Sequence, residues 1–105
     1  MSVSTHVLDA VLGRPAAGIA VQLFAGEELV ATGVTDADGR CRLTEDPTAV
    51  GPHRLVFGTG DWFTAQARET FWPEVVLTFA VRAPAEHHHV PLLLSPFAYS
   101  TYRGS

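Results

Sequence analysis

Short runs of β-branched, aromatic and aliphatic residues, separated by clusters of glycine, proline and aspartate, recur along the whole chain of 105 residues. Runs of about 4–8 such residues between turn signals are typical of strands, and their repetition predicts an all-β sandwich. Turns are expected at Gly13-Arg14-Pro15, Gly26-Glu27-Glu28 and residues 35–39, with a bend at Ser95-Pro96. The predicted strands are 2–9, 18–24, 29–35, 40–43, 52–59, 73–82, 88–94 and 97–102.

One segment, GDWFTAQARET, breaks this rhythm. Asp61 is a residue type that caps helix N-termini well, and residues 64–69 have a helical composition. We therefore expect a single short helix near residues 61–68. The aromatic residues around it are expected to pack in the core and against the helix; they are Trp62, Phe63, Phe71 and Trp72. Alternation in the next strand predicts one shared face for Val75, Leu77, Phe79 and Val81.

Length and composition limit the kind of protein that the chain can form. A chain of this length fits one domain, predicted to span 1–105. Its apolar residues, 47% of the total, form only a small core, so oligomerisation is a further source of stability. The net charge of −4 and the lack of a basic stripe argue against nucleic-acid binding. The sequence contains no lysine, which excludes a lysine Schiff base and a P-loop.

The cysteine content and the first residues bear on the compartment. Cys41 is the sole cysteine and cannot form an intramolecular disulfide, which favours a reducing compartment. Residues 1–13 lack the basic segment and the long apolar run of a signal peptide, and no apolar stretch approaches membrane-spanning length. We therefore expect a cytoplasmic protein without membrane partners.

Histidine chemistry is suggested by three consecutive residues, His87, His88 and His89, among the five histidines of the chain. Strand alternation puts His87 and His89 on one face and His88 on the other. Two histidines on one face resemble half of a metal site that His6 could complete, although the sequence offers no obvious fourth ligand. The competing interpretation is a histidine cluster without a chemical role, and the isolated His53 fits that interpretation best.

The same alternation places Arg40 and Arg42 on one face of a strand and the thiol of Cys41 on the other. The simplest interpretation is a solvated arginine pair over a buried cysteine, because no helix terminus or glycine-rich context would activate a thiolate. The preceding sequence TDADG lacks most ligand positions of a calcium loop and is expected to be a turn. The sequence also lacks the G-x-S-x-G elbow of serine hydrolases.

Four stretches of the sequence resemble the 5-hydroxyisourate hydrolases, the transthyretin-like enzymes of purine breakdown. They are STHVLDAVLGRPAAGIAV, TDADGRC, GDWFTAQARETFWPEV and HVPLLLSPFAYSTYRGS, so the resemblance covers essentially the whole chain. The final Tyr102-Arg103-Gly104-Ser105 is its most specific part, and transthyretin itself lacks this tail. Two departures from the family pattern are His88, where the family usually has tyrosine, and PFAYSTYRGS in place of PYGYSTYRGS.

The resemblance implies a transthyretin-like, eight-stranded β-sandwich with one short helix, assembled as a homotetramer from two dimers. The active sites would lie in a channel where the dimers meet. They would hydrolyse 5-hydroxyisourate to 2-oxo-4-hydroxy-4-carboxy-5-ureidoimidazoline, a step in urate degradation, without a metal or a cofactor.

Matching the family motif residue by residue assigns the expected roles. His6, Arg40 and His89 are expected to be catalytic: the histidines would share the activation of water, and the arginine would bind the developing oxyanion or an anionic substrate. The residues expected to bind and shape the substrate are Tyr102, Arg103, Gly104 and Ser105, the last through its hydroxyl or the terminal carboxylate. Thr101 and His87 are expected to support them from behind.

Three other functions are compatible with the sequence. A carrier of small aromatic ligands could use the tetramer channel, although walls bearing His6, Arg40 and His89 would be polar where a hormone channel is apolar. A structural or adhesion-type sandwich would be a monomer indifferent to substitution of these residues. A metal-bound hydrolase would contain metal after purification without a His-tag.

Overall fold

The computed structural model describes residues 2–45 and 49–105, and these residues form two β-sheets and one short helix. The elements, in chain order, are β1 (Ser2–Asp9), β2 (Arg14–Pro15), β3 (Ala20–Ala25), β4 (Glu28–Val34), β5 (Arg40–Thr44), β6 (Gly51–Phe57), α1 (Thr59–Thr64), β7 (Val75–Val81), β8 (His87–Ser95) and β9 (Ala98–Thr101). The predicted all-β class is confirmed, and each of the eight predicted strands corresponds to an observed strand.

The short strand β2 lies where the sequence predicts a turn, and that part of the prediction is wrong. Leu8 pairs with Pro15 and Asp9 pairs with Arg14, so the chain after the turn returns along the end of β1. Proline is tolerated here because β2 lies at the margin of its sheet, where its missing N–H breaks no ladder.

The first sheet is built around β1. Its order is β2-β1-β8-β9, and β5 also pairs with β1. Strands β2 and β5 run antiparallel to β1, whereas β8 runs parallel to it. The second sheet is antiparallel throughout, in the order β4-β3-β6-β7. The parallel pair therefore joins the first strand of the chain to one of the last.

The core lies between the two sheets, where alternate side chains of each strand are buried. The most buried strand side chains include Val3, Val7, Val21, Leu23, Leu55, Phe57, Leu92 and Leu94. In β7, Val75, Leu77 and Val81 are buried and Phe79 is half-buried, which confirms the face predicted for this strand. Removing each such side chain from water contributes about 1.5–3 kcal/mol, so these positions hold the sheets together.

The helix begins and ends earlier than the sequence predicts. It spans Thr59–Thr64 instead of 61–68, and its N-cap position is occupied by Gly58, without a side-chain cap. Asp61, the expected cap, lies within the first turn, where its negative charge interacts favourably with the positive end of the helix dipole. The start is determined by tertiary contact, because the Thr59 hydroxyl donates to the carbonyl of Trp72 at 3.1 Å.

The end of the helix is determined by backbone geometry. Ala67 has a φ of +55°, in the left-handed region. Its N–H donates to the carbonyl of Thr64 at 3.0 Å, and the N–H of Arg68 donates to the carbonyl of Phe63 at 3.0 Å. This pair of hydrogen bonds is a Schellman arrangement, which closes a helix and turns the chain away. The helical composition of residues 64–69 is overridden by this closure.

Arg68 connects the end of the helix to the first sheet. Its Nη1 lies 2.8 Å from Oδ2 of Asp9, whose side chain is 2% exposed, and its guanidinium lies 4.9 Å from the ring centroid of Phe63. The other carboxylate oxygen of Asp9 accepts the N–H groups of Val11 and Leu12. Burial alone would raise the pKa of Asp9, but Arg68 and these amides outweigh it and lower the pKa.

The aromatic residues around the helix differ in exposure. Phe63 is fully buried, and Trp62 and Trp72 pack partly buried against the core, as expected. Phe71 is 68% exposed, which corrects the expectation that it packs in the core; its ring meets Trp72 edge-on, 5.1 Å between centroids. Among the described residues, no helix is long and apolar enough to cross a membrane.

Candidate active site

Strand register brings polar side chains together on the outer face of the first sheet. In β1, Ser4 and His6 alternate with buried neighbours. The parallel pairing with β8 sets Ser4 beside His89, and the antiparallel pairing with β5 sets His6 beside Arg40. Side chains from both ends of the sequence therefore share one surface, as the strand alternation of each segment predicts.

A cleft with a volume of about 350 Å³ lies on this face. It contains four of the predicted site residues, namely Arg40, His87, His89 and Ser105. The other residues that line it are Ser4, Thr5, Asp36, Cys41 and Arg42. His6 is not part of this lining, but it lies next to Arg40 in the sheet.

The orientation of His6 follows from the turn between β4 and β5. Nε2 of His6 lies 2.8 Å from the carbonyl oxygen of Asp38, so this nitrogen carries a hydrogen and donates it. Oδ1 of Asp36 accepts the N–H groups of Asp38 and Arg40, each at 2.9 Å. The turn therefore holds both His6 and the backbone of Arg40, and Nδ1 of His6 is the ring nitrogen left for chemistry.

His89 is half-buried between β1 and the tail. Its Nδ1 lies 2.8 Å from Oγ of Ser4, and its ring stacks with that of His87, 6.1 Å between centroids. Burial, followed by Coulombic repulsion from His87, Arg40 and His6, lowers the pKa of His89 below its ordinary value of 6.5. The ring is therefore neutral at pH 7, the state in which a histidine can accept a proton.

The tail after β9 lies against β8. The N–H of Gly104 donates to the carbonyl of His89 at 2.8 Å, and the Thr101 hydroxyl donates to the carbonyl of Pro91 at 2.7 Å. A Cβ atom on Gly104 would lie only 2.5 Å from Cδ2 of the His89 ring. Glycine thus lets the tail approach His89 and brings Ser105 into the cleft.

The rest of the tail faces a second cavity. Thr101, Tyr102 and Arg103 line a mostly apolar space of about 560 Å³ beside strand β7, and His89 lies between this cavity and the cleft. His88 also lines it and is 5% exposed, so it points away from the cleft as expected. Burial, followed by the charge of Arg103, lowers the pKa of His88.

The histidines do not form a metal site by their arrangement. Across residues 2–45 and 49–105, no group of three or more His, Cys, Asp or Glu side chains is placed to hold a metal ion. The ring nitrogens of His6, His87 and His89 instead contact a backbone carbonyl or serine hydroxyls. The isolated His53 is 1% exposed and bonds the carbonyl of Gly51, in agreement with a structural role.

Sequence reasoning missed two residues of this site. The sequence predicts only a turn at Asp36, yet its carboxylate accepts the N–H of Arg40 and positions the backbone there. Ser4 belongs to no recognisable sequence motif, although its position two residues before His6 puts Ser4 and His6 on the same face of β1. Its contact with His89 depends on the register between β1 and β8, which strand alternation alone does not define.

Two β-sheets packed on each other, with one short helix, define this chain as a transthyretin-like sandwich. The sequence model of the HIUase/Transthyretin family matches residues 3–104, and the chain belongs to this family. The resemblance found in the sequence and the transthyretin-like fold predicted from it are both confirmed.

Similar proteins agree with this membership. The chain is 47% identical over 111 residues to the 5-hydroxyisourate hydrolase of Caulobacter vibrioides, which covers 97% of this chain and 96% of that protein. The structure of Klebsiella pneumoniae 5-hydroxyisourate hydrolase matches all of both chains with a TM-score of 0.91 and 37% identity. Transthyretin from Sparus aurata matches with a TM-score of 0.86 and 33% identity, over 97% of this chain and 95% of the other.

Proposed function

We propose that this chain is a hydrolase that opens the six-membered ring of 5-hydroxyisourate by attack of water on a ring carbonyl. Relatives named for that activity at up to 47% identity support the reaction. The structural observation that carries the proposal is the meeting of His6, Arg40 and His89 on one face, next to Ser105. Water needs a base, the developing oxyanion needs a positive group, and a flat polar ring needs donors.

His89 is the base that best fits these needs. Its Nδ1 is engaged by Ser4, so Nε2 is the nitrogen that accepts a proton from water. Its lowered pKa keeps it neutral at pH 7, and a positioned base of this kind contributes roughly 10²–10⁴-fold to the rate. His6 assists through Nδ1, because its Nε2 donates to Asp38. The acid limb of the pH–rate profile is then expected below pH 6.5.

Arg40 supplies the positive charge. Its planar guanidinium can donate two parallel hydrogen bonds to a carbonyl oxygen or to an anionic substrate. Its backbone is fixed by Asp36, while its side chain projects into the cleft. The hydroxyl of Ser105 adds a further polar group there, and Tyr102, Arg103 and Gly104 shape the wall from the tail. No metal or cofactor takes part in this proposal.

We also propose that the active form is a homotetramer, because the cleft lies on an outer face that one chain leaves open. Two edge strands, β7 and β9, present unpaired backbone groups, and an exposed edge invites pairing with another chain. Large apolar side chains are exposed along and near these edges: Val76, Phe97, Tyr99 and Tyr102. A second copy paired along these edges would cover these side chains, and a second such dimer facing the first would close the cleft.

The test uses freshly generated 5-hydroxyisourate, whose ultraviolet absorbance is followed in the presence of chelator. The wild-type protein should accelerate its decay. His6→Ala, Arg40→Ala and His89→Ala should each reduce the rate by roughly a hundredfold or more while remaining folded tetramers. Arg14→Ala, an exposed arginine of β2, is the matched control and should retain full activity.

Two outcomes would overturn the proposal. If a verified tetramer does not accelerate the decay above the spontaneous background, the proposed reaction is contradicted and the carrier function is favoured. Titration with small aromatic ligands would then test that function. Near-normal rates in folded variants of all three residues would show that the reaction occurs elsewhere. Loss of wild-type activity in chelator would instead support the metal-bound alternative.

A further inference from the structure

Two serines of β1 and two histidines of β8 form a continuous hydrogen-bonded row on the outer face of the first sheet. The Ser2 hydroxyl bonds Nδ1 of His87. The Ser4 hydroxyl lies 3.2 Å from Nε2 of His87 and 2.8 Å from Nδ1 of His89. The parallel register produces this row, because it pairs Ser2 with His87 and Ser4 with His89.

The row has a direction because each hydroxyl carries a single hydrogen. Ser4 can donate to one histidine only while it accepts from the other. In the orientation that suits a base, Nδ1–H of His89 donates to Ser4, Ser4 donates to Nε2 of His87, and Nδ1–H of His87 donates to Ser2. Nε2 of His89 then has a free lone pair for the proton of water. His87 is exposed on the chain surface, so the row leads outward from the cleft.

The proposed reaction requires proton transfers at His89, where this row ends. Hydrolysis of a cyclic amide consumes one water, whose hydroxide forms the carboxyl group and whose proton goes to the leaving nitrogen. The carboxyl group ionises at neutral pH, and the released nitrogen is part of a urea group, which is not basic. Between the attack of water and the opening of the ring, His89 holds the water proton, although burial and Coulombic repulsion from nearby groups lower its pKa.

We propose that Ser4 and His87 take up the positive charge of the protonated His89 until the ring opens, an inference that rests on the proposed function. The protonated His89 gives its Nδ1 proton to Oγ of Ser4 as the hydroxyl proton of Ser4 passes to Nε2 of His87. His89 is left neutral with its hydrogen on Nε2, and His87 becomes the imidazolium. When the leaving nitrogen takes the Nε2 hydrogen of His89, Ser4 returns its proton to Nδ1 of His89 and takes one back from Nε2 of His87. The row then has its starting orientation, and the transfers along it change no bond between heavy atoms.

Ser4 is in this proposal a positioning residue as well, since its hydroxyl also selects the ring nitrogen that His89 presents to the cleft. A merely structural role predicts a different pattern of effects. A serine that only braces β1 against β8 would affect stability and KM when removed. A serine that passes protons would affect kcat, and a diffusible proton carrier could replace it.

The experiment compares Ser4→Ala and His87→Gln by steady-state kinetics, with and without added imidazole. His87→Gln can hydrogen-bond Ser4 through its side-chain amide but cannot accept and release a proton. We expect kcat to fall by roughly tenfold or more in both variants, with KM changed less than about twofold, and imidazole to restore most of the loss. Ser4→Thr keeps the hydroxyl and should recover activity without imidazole.

The matched control is Ser95→Ala, which removes a serine of β8 that donates to the carbonyl of Ala98 at 2.8 Å. It should have the wild-type kcat and no response to imidazole. The pH profiles are compared at constant ionic strength, because Asp36, Arg40, Arg42 and His6 also face the row from β1, β5 and the turn before β5.

The outcomes separate the inference from the proposed function. An inactive wild-type protein contradicts the proposed function. An active wild-type protein with unchanged kcat in Ser4→Ala and His87→Gln contradicts the proton path alone. A fall in kcat that imidazole does not restore, accompanied by a lower melting temperature or a raised KM, assigns Ser4 and His87 a structural role and also overturns the inference.

Discussion

The close approach of Gly104 to His89 makes Gly104→Ala a sharp test of the active site. An added Cβ would lie 2.5 Å from Cδ2 of the His89 ring and 3.3 Å from Cγ of Pro91. An ordinary contact begins near 3.4 Å, so the ring or the tail must move by about 1 Å. Proline and the strand backbone are stiff, which leaves the histidine ring and the tail as the parts that can yield.

Either movement damages the arrangement that catalysis needs. A shift of the ring breaks its 2.8 Å hydrogen bond to Ser4, and a shift of the tail breaks the bond from the Gly104 N–H to the His89 carbonyl and withdraws Ser105. A displacement of about 1 Å in a catalytic group costs roughly a hundredfold in rate, or about 2.7 kcal/mol of transition-state stabilisation. Unfolding should be affected less, by about 1 kcal/mol, because one hydrogen bond of an exposed tail is at stake.

The assay is the kcat/KM for 5-hydroxyisourate, measured beside the melting temperature of the same preparation. Gly58→Ala is the matched control, since a Cβ there meets its nearest atom at an ordinary 3.7 Å and the φ of −77° suits alanine. A Gly104→Ala variant within threefold of wild-type kcat/KM would refute the reasoning. A variant that loses activity only by unfolding would refute it as well.

Three further predictions concern stability. Arg68→Ala leaves the buried Asp9 carboxylate unpaired and should lower the free energy of unfolding by about 3–5 kcal/mol in urea, whereas a loss below 1 kcal/mol would contradict this pairing. Because the folded-state pKa of Asp9 lies below 3.8, its stabilising effect is complete above about pH 4 and is lost as the pH falls through the folded-state pKa; Asp9→Asn should flatten this part of a pH titration of unfolding. Ala67→Gly should raise the free energy of unfolding by about 1 kcal/mol by relieving the left-handed backbone, and calorimetry showing a decrease would count against that strain.

Local patterns predicted the strands because burial on one face leaves a period of two in the sequence. The face of β7 and the opposite orientations of His88 and His89 follow from that period directly. The helix boundaries did not follow, because a threonine bond to a distant carbonyl starts the helix and a Schellman closure at Ala67 ends it. Alanine in the left-handed region gives no sequence signal, whereas glycine would have given one.

The candidate site likewise combines features that the sequence predicts with features that only the fold shows. The resemblance to the family assigned the roles of His6, Arg40 and His89, while the register that relates their strands became visible only in the fold. The sequence does not predict a role for Ser4, because a serine in a strand is ordinary until its neighbour across the sheet is known. The family motif groups the tail residues together, yet Ser105 lies in the cleft and Tyr102 lies beside the apolar cavity, since a strand end sends successive side chains to different faces.

The parallel pair of β1 and β8 also governs when the molecule can become active during its synthesis. Ser4 and its partner His89 are separated by 85 residues, which a ribosome adds in roughly 4–17 s at the usual 5–20 residues per second. Throughout that interval β1 can pair with β2 and β5 on one side, but its other edge is open to neighbouring nascent chains. Translation pauses between β1 and His87 would prolong this exposure, so the yield of active protein should depend on the speed with which that part of the message is read.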